Sequence, residues 1–354
     1  MIRFGVVGAG WRARFFLKIA RACPDRFEVT GIVTRDRKRA AKWLPPYDVP
    51  LFKSLDDLIE TRPQFVVTSV PWGVNPSLLT ALANKDMPAL SETPPATTLE
   101  EMIDLWHLVE YGAKIAVFEQ YPLQPMHAAR IAFIESGRLG RPTFANVSVA
   151  HGYHGISLIR RLLGITYEDA VIRAQSFTAP IVKSRDRDGY LDREQITTSD
   201  QVIAMLDFGE KLGVLDFVGD QYWSPIRGHR VTVRGERGEL IDDRATVLLD
   251  HRTPLTIPLI RHVAGGPGNI EGHYVKGVQA GETWLYTNPF GTAELNDEET
   301  SDADVLARMA DYAEGGPCFY PLAEACQDRY LDILTWKAVE SGRPVVSERQ
   351  PWAP

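Results

Sequence analysis

The sequence has little cysteine, no excess of positive charge and no uninterrupted apolar run that would cross a bilayer. Only three cysteines occur among 354 residues, Cys23, Cys318 and Cys326. They cannot all pair, form no CxxC and have no histidine nearby at ligand spacing, which excludes a disulfide framework and a structural zinc. Lys and Arg number 39 against 46 Asp and Glu, a formal charge of -7, so nothing in the balance invites nucleic acid or an anionic membrane surface. Residues 63–84 form a stretch of 22 without a formal charge, against the roughly 20 needed to span a bilayer. Pro71, Gly73, Asn75 and Pro76 break it into a strand, a turn and a short helix. His229, His251, His262 and His273 are dispersed, so no metal is expected. The opening MIRFGVVGAGW shows no basic leader followed by a long apolar stretch and a cleavage site, and a cytoplasmic protein is expected. Internal repeats and low-complexity tracts are likewise missing.

What is there reads as a globular chain of about two domains, 44% apolar and 24% charged. From residue 2, apolar runs alternate with helical stretches: IRFGVVGAG, RARFFLKIARACP, FEVTGIVT, DRKRAAKWL, QFVVTSV, NPSLLTALANK. This order implies parallel strands joined by crossovers, a doubly wound sheet. FGVVG and FVVTSV are continuously apolar, as expected when helices cover both faces. Thr98 with Glu101 three residues on forms a capping box before Met102, Leu105 and Trp106. KIAVFEQY is the last strand of this unit.

After residue 121 the pattern changes. The helix PMHAARIAFIESG, ending at Gly137, is followed by FANVSVA, the helical HGISLIRRLLG, and the short strands VIRAQSFTA, DQVIAMLDF, KLGVLDFVG, RVTVRG and ATVLLD. Successive strands with Gly-rich turns predict an antiparallel sheet. Residues 287–301 read as an acidic loop, and a final helix over 321–342 stops at Gly342. The expected division is a nucleotide-binding domain over 1–121 and a substrate and assembly domain over 122–354.

Gly8-Ala9-Gly10-Trp11-Arg12-Ala13 follows the first strand and opens the first helix, matching GxGxxA in the context that gives the motif meaning. Gly8 permits the tight turn, Gly10 lets the backbone approach a pyrophosphate, and Ala13 lets helix and strand pack closely. The helix N-terminus then faces the phosphate charge. An ordinary Gly-containing turn is the alternative. At the end of the second strand an acidic residue would select NAD, while a small polar residue with Arg accommodates the extra phosphate of NADP. Thr34-Arg35, with Arg37, Lys38 and Arg39 nearby, favours NADP over NAD, although Asp36 can still turn inward.

Together the Gly-rich turn, SVPWGVN, SETPPATTLEE, ESGRLGRP and HGYHGISLIRRLLG resemble the glucose-fructose oxidoreductase, inositol dehydrogenase and MocA (Gfo/Idh/MocA) family of sugar and cyclitol oxidoreductases. The resemblance implies a Rossmann domain, an open-faced antiparallel sheet domain, and an active site in the cleft between them. It also implies a homodimer or homotetramer assembled through the sheet. Trp11, Arg12, Pro71 and Glu92 join the cofactor-binding set by the same resemblance. Several positions depart from the pattern. Where the family usually has Glu-Lys-Pro, this sequence has Glu92-Thr93-Pro94. Counting back from Leu163-Gly164, the family's site histidine falls on His154, but its aspartate position is Ala150. Asn75 stands where a His is common, and Gln120-Tyr121-Pro122 replaces Asn-x-Arg.

Moving a hydride from a carbinol needs a base for the hydroxyl proton. By resemblance His154 is that base, lacking its usual carboxylate partner at 150. Tyr121 and Thr93 are the other catalytic candidates, with His151 and Glu119 as further substitutes. Candidate substrate contacts are His151, Gln120 and Arg161. The plain readings are a core histidine for 154, a core tyrosine for 121, an exposed helix start for His151, and one surface cation plus one interdomain pair for Arg160 and Arg161. Asp220-Gln221-Tyr222-Trp223 suits a sugar ring or a subunit interface, the interface being favoured. The leading expectation is an NAD(P)-dependent oxidoreductase acting on a secondary hydroxyl or ketone of a sugar, cyclitol or polyol. A redox-neutral lyase or glycoside-cleaving enzyme with tightly bound NAD(P), and a noncatalytic NAD(P)-binding sensor, are the alternatives.

Overall fold

Residue 2 onward, the first apolar run becomes β1 (Ile2–Val7), with Phe4 and Val6 fully buried. The computed structural model describes residues 1–354 except 41, 43, 46, 187, 188 and 267–269, and the side chain of Arg39. β1 leads into α1 (Trp11–Ala22), β2 (Phe27–Val33), α2 (Arg37–Ala40), β3 (Leu51–Phe52) and α3 (Leu55–Ile59). Of the helix expected over DRKRAAKWL, residues 41 and 43 lie outside the described residues. β4 (Phe65–Thr68), α4 (Asn75–Ala83), β5 (Ala89–Ser91), α5 (Leu99–Glu110) and β6 (Ile115–Val117) complete this region. The strands pair in parallel in the order β3-β2-β1-β4-β5-β6. This is the doubly wound sheet the alternation predicts, and its strand order reverses between β1 and β4, where such sheets bind nucleotides. The capping box of Thr98 and Glu101 starts α5 as expected.

The second region begins with α6 (Pro125–Glu135), β7 (Pro142–Ser148) and α7 (Gly152–Leu163). Gly164 ends α7 in the left-handed region. A long hairpin of β8 (Val171–Asp186) and β9 (Gly189–Asp207) follows, then β10 (Leu212–Val218), β11 (Arg230–Gly235), β12 (Gly238–Ile241) and β13 (Arg244–Leu248). β14 (Pro254–Val263), β15 (Val275–Ala280), β16 (Thr283–Thr287), α8 (Asp297–Ala313), α9 (Leu322–Ser341) and β17 (Val345–Val346) complete the chain. Among the described residues the large sheet runs β16-β15-β14-β13-β12-β11-β7-β10-β9-β8-β17. The antiparallel expectation needs one correction, because β7 and β10 are parallel. α7 and the β8–β9 hairpin intervene between them and supply the long connection that a parallel pair requires. α7 packs against β7 and β10, and α9 against β8. On the sheet, Phe177, Ile203 and Met205 remain exposed.

Residues 287–301 are not all loop. α8 starts at Asp297 because Asn296 and Glu299 form a capping box, the Asn296 side chain accepting the Glu299 amide at 2.9 Å and the Glu299 carboxylate accepting the Asn296 amide at 3.0 Å. Val305, Leu306 and Met309 of α8 then pack with Phe4, Phe16 and Phe65, so a late helix covers one face of the early sheet. A second tie runs from the Val117 amide to the Tyr320 carbonyl at 3.0 Å. Both joints hold the carboxyl edge of the parallel sheet against the second region. No helix among the described residues is long and apolar enough to cross a membrane.

Candidate active site

The glycine turn after β1 differs at its two glycines. Gly8 has φ +112°, and a Cβ there would lie 1.9 Å from the Ser69 carbonyl oxygen. Only glycine satisfies both conditions. Gly10 is the N-cap of α1 in an extended conformation that any residue adopts, and nothing lies within 4 Å of a Cβ built on it. The first turn of α1 has no side-chain cap and no acidic residue. Its first-turn amide groups, with no side-chain cap, and the open approach fit a diphosphate, which needs donors and positive potential at a helix start. Ala13 is fully buried behind the turn. At the end of β2, Thr34 is buried with its hydroxyl accepting the Asp36 amide at 3.3 Å, and Arg35 is exposed. Pro71 is exposed after β4.

Arg12 faces inward and stacks under Trp11, its Cζ 4.7 Å from that ring centroid. Its guanidinium meets Glu298 at 2.8 Å, Asp302 at 3.5 Å and Glu92 at 3.9 Å. These three carboxylates match its charge, and through Glu298 and Asp302 it latches the turn to α8. Burial pushes Asp302 well above the usual carboxylate range and raises Glu92, against the pull of Arg12. Glu298 lies in the segment 287–301 read as loop and Asp302 just past it; the Asn296-x-x-Glu299 box was the readable signal.

At the carboxyl edge of β6, Glu119 is buried and its Oε2 lies 2.6 Å from Nδ1 of His154 on α7. The missing carboxylate partner of His154 is thus supplied from β6 rather than from position 150, where Ala150 is packed in the core. Attraction between opposite charges would raise the histidine and lower the glutamate. Burial acts the other way, pushing Glu119 well above the carboxylate range and His154 down to about 3, with Arg12 adding to the histidine's shift. At 2.6 Å and shut off from water, the two share one proton and the pair is net neutral. Nε2 of His154 has no hydrogen-bond partner among the described residues.

The other candidates gather around this pair. The Tyr121 ring lies 4.6 Å from the His154 ring and the His151 ring 4.8 Å from it. His151 caps α7 and is not an exposed helix start, since burial lowers it to about 3. Its amide donates to the Tyr222 hydroxyl at 3.1 Å, and the Tyr222 hydroxyl is also hydrogen-bonded to Tyr121. Tyr222 therefore turns into the cleft, where an interface had been favoured. Gln120 is buried with Oε1 unpartnered, a polar atom facing no protein donor among the described residues. Thr93 is buried next to Glu92. Asn75 is a tie rather than a reacting group: it accepts from Thr68 at 2.6 Å and donates to Ser91 and the Pro95 carbonyl, each at 2.9 Å. Arg161 is exposed over the Tyr320 ring at 5.4 Å. Arg160 is buried against Asp328 at 2.6 Å and Glu324 at 2.8 Å of α9, a pair inside the second region and not between domains. Behind Glu119, Tyr320 donates to Ser157 at 2.9 Å, and Tyr320 also bonds Asp328.

Residues 2–120 match the family model described as an oxidoreductase family with an NAD-binding Rossmann fold. No curated protein sequence matches the chain. Among solved structures, levoglucosan dehydrogenase in complex with NADH and levoglucosan is similar at 16% identity and TM-score 0.69, covering 98% of this chain and 99% of that one. The WlbA dehydrogenase from Bordetella pertussis, in complex with NADH and UDP-GlcNAcA, has 16% identity and TM-score 0.65, covering 99% of each chain. An oxidoreductase from Agrobacterium radiobacter, in complex with NAD+, L-tartaric acid and magnesium, has 16% identity and TM-score 0.66, covering 97% of this chain and 98% of that one. At such identities the likeness shows that the two-region fold is shared.

Proposed function

We propose, from the match of residues 2–120 to the Gfo/Idh/MocA oxidoreductase family model, that the chain oxidises or reduces a secondary hydroxyl or ketone of a sugar, cyclitol or related polyol with NAD(P). Residues 1–121 form its coenzyme unit and 122–354 its substrate and assembly unit. One observation carries this reading: the uncapped glycine turn and the buried Glu119–His154 pair stand at the same carboxyl edge of the parallel sheet. A nicotinamide bound there supplies hydride transfer. The turn's amides hold the diphosphate, His154 handles the hydroxyl proton at Nε2, and Glu119 fixes the ring and its tautomer through Nδ1. Tyr121 and His151 wall the ring from water, while Gln120 offers its unpartnered amide oxygen to a substrate hydroxyl. A sensor that has lost its proton relay fits less well, because a carboxylate–imidazole pair is retained. Incubation with each coenzyme and a polyol panel tests the reading through the reduced-nicotinamide absorbance; coenzyme binding without turnover of any polyol or ketone would return the sensor.

NADP is favoured over NAD by Thr34 and the exposed Arg35. Arg35→Ala is expected to weaken NADP about tenfold, the loss of a charge-assisted hydrogen bond of about 1.5 kcal/mol, and to leave NAD within about twofold. Calorimetric titration with both coenzymes checks it, and equal losses would reject the assignment. A second copy covering Phe177, Ile203 and Met205 gives a homodimer or homotetramer. Sedimentation should then show Met205→Glu dissociating, and an unchanged assembly would move the interface elsewhere. Three free cysteines fit a cytoplasmic setting.

A further inference from the structure

A cavity of about 590 Å³ opens beside the candidate site, between α6, the start of α8 and strands of the large sheet. Its wall residue His127 has its ring 6.3 Å from that of Tyr121, which in turn lies 4.6 Å from His154. One helical turn on, Arg130 lines the same cavity. Its Nε donates to the Asp242 carbonyl at 2.7 Å, and its Nη1 donates to His127 Nδ1 at 3.1 Å. A guanidinium has donors only, so Nδ1 is the acceptor and the His127 proton sits on Nε2. Burial, then the charge of Arg130, holds His127 well below its ordinary value, which keeps the ring neutral in this tautomer.

The nearest carboxylates, Asp242 and Asp243, favour the cation from a distance without pairing with it. Among the described residues no carboxylate lies within ion-pair distance of Arg130, and the carboxylates of the cavity wall are committed elsewhere or wet. Asp242 accepts the Val231 amide at 2.8 Å, Asp297 pairs with Arg261 at 2.6 Å, and Asp243 is exposed. A largely buried arginine without an ion pair is costly, and its planar fork matches carboxylate and phosphate oxygens. The remaining Arg130 N–H groups and the His127 Nε2–H form a donor-only pair. A neutral polyol would leave that charge with no closer counter-charge than Asp242 and Asp243.

We infer that this cavity receives an oxyanion carried by the substrate, so that the substrate class is a sugar or polyol bearing a carboxylate or phosphate, anchored by Arg130 and His127 while its carbinol lies at His154. The inference rests on the dehydrogenase reading and narrows it. The test is calorimetry of the NADH-loaded full chain with D-gluconate, glucose 6-phosphate and an aldaric acid, each against its neutral counterpart. At least one acid should bind tenfold or more tightly than the matched neutral sugar, and which one does separates carboxylate from phosphate. Arg130→Met should abolish that advantage, Arg130→Lys should keep part of it, and both should bind NADH as the wild type does. If no acid outbinds its neutral partner, or the advantage persists in Arg130→Met, the inference is overturned. Absence of heat with either coenzyme would instead mark failure of the coenzyme reading, and the same panel on the coenzyme-free chain would then decide this inference by the same two outcomes.

Discussion

His154→Asn should lower kcat/KM by about 10²–10⁴-fold, the range for losing a positioned acid or base, with coenzyme affinity essentially unchanged. Glu119→Gln should approach the same loss for a different reason. The glutamine amide can donate to Nδ1, which puts the remaining proton on Nε2 and removes the lone pair that takes the hydroxyl proton. The pH profiles distinguish the two effects. Burial raises Glu119 and lowers His154, so the bonded pair keeps its one proton at pH values where a solvated carboxyl would have lost it. The base form, a carboxylate beside an Nδ1–H imidazole, appears only once the pair gives that proton up. Oxidation should therefore rise with pH through the pair's apparent pKa, while reduction, which consumes the proton, should fall. In Glu119→Gln the raised group is gone and His154 stays neutral down to about 3, so the residual rate should be flat across neutrality. A wild-type-like rising limb in that variant would refute the pairing.

Two one-methyl changes in the glycine turn should have opposite consequences. In Gly8→Ala the new Cβ meets the Ser69 oxygen at 1.9 Å at a φ of +112°, and the fold should lose more than about 3 kcal/mol. Thermal unfolding would show it. In Gly10→Ala the methyl meets no protein atom within 4 Å and the backbone is already extended, so the melting temperature should hardly move. The same methyl occupies the approach to the α1 amides, and coenzyme affinity should fall tenfold or more. A methyl at Gly10 that destabilised the fold without affecting the coenzyme would assign the glycine to packing.

Much of this was legible in the sequence. Continuous apolar runs separated by helical stretches gave the parallel sheet, because strands covered on both faces have no polar side to display. The turn at Gly8 and Gly10 was readable from local chemistry, as was the stop at Gly342. The helix over 297–313 was missed, although Asn296 and Glu299 announce it, because its first turn is acidic and its apolar positions face a sheet formed by the first strands of the chain. The partner of His154 could not be read from spacing within one helix. Glu119 lies 35 residues away on another element, and only folding brings the edge of β6 against α7. Arg12 shows the same limit from the other side: its place in the glycine motif does not reveal the α8 carboxylates that meet its guanidinium.

The account stands on the α1 amides as a diphosphate site, and calorimetry of wild type and Gly10→Ala with NAD(H) and NADP(H), alongside their melting temperatures, tests that most directly. It predicts clear binding to the wild type, at least tenfold weaker binding to the variant, and equal melting temperatures. Wild-type protein that binds neither coenzyme, or a variant that binds as tightly as the wild type, would contradict it.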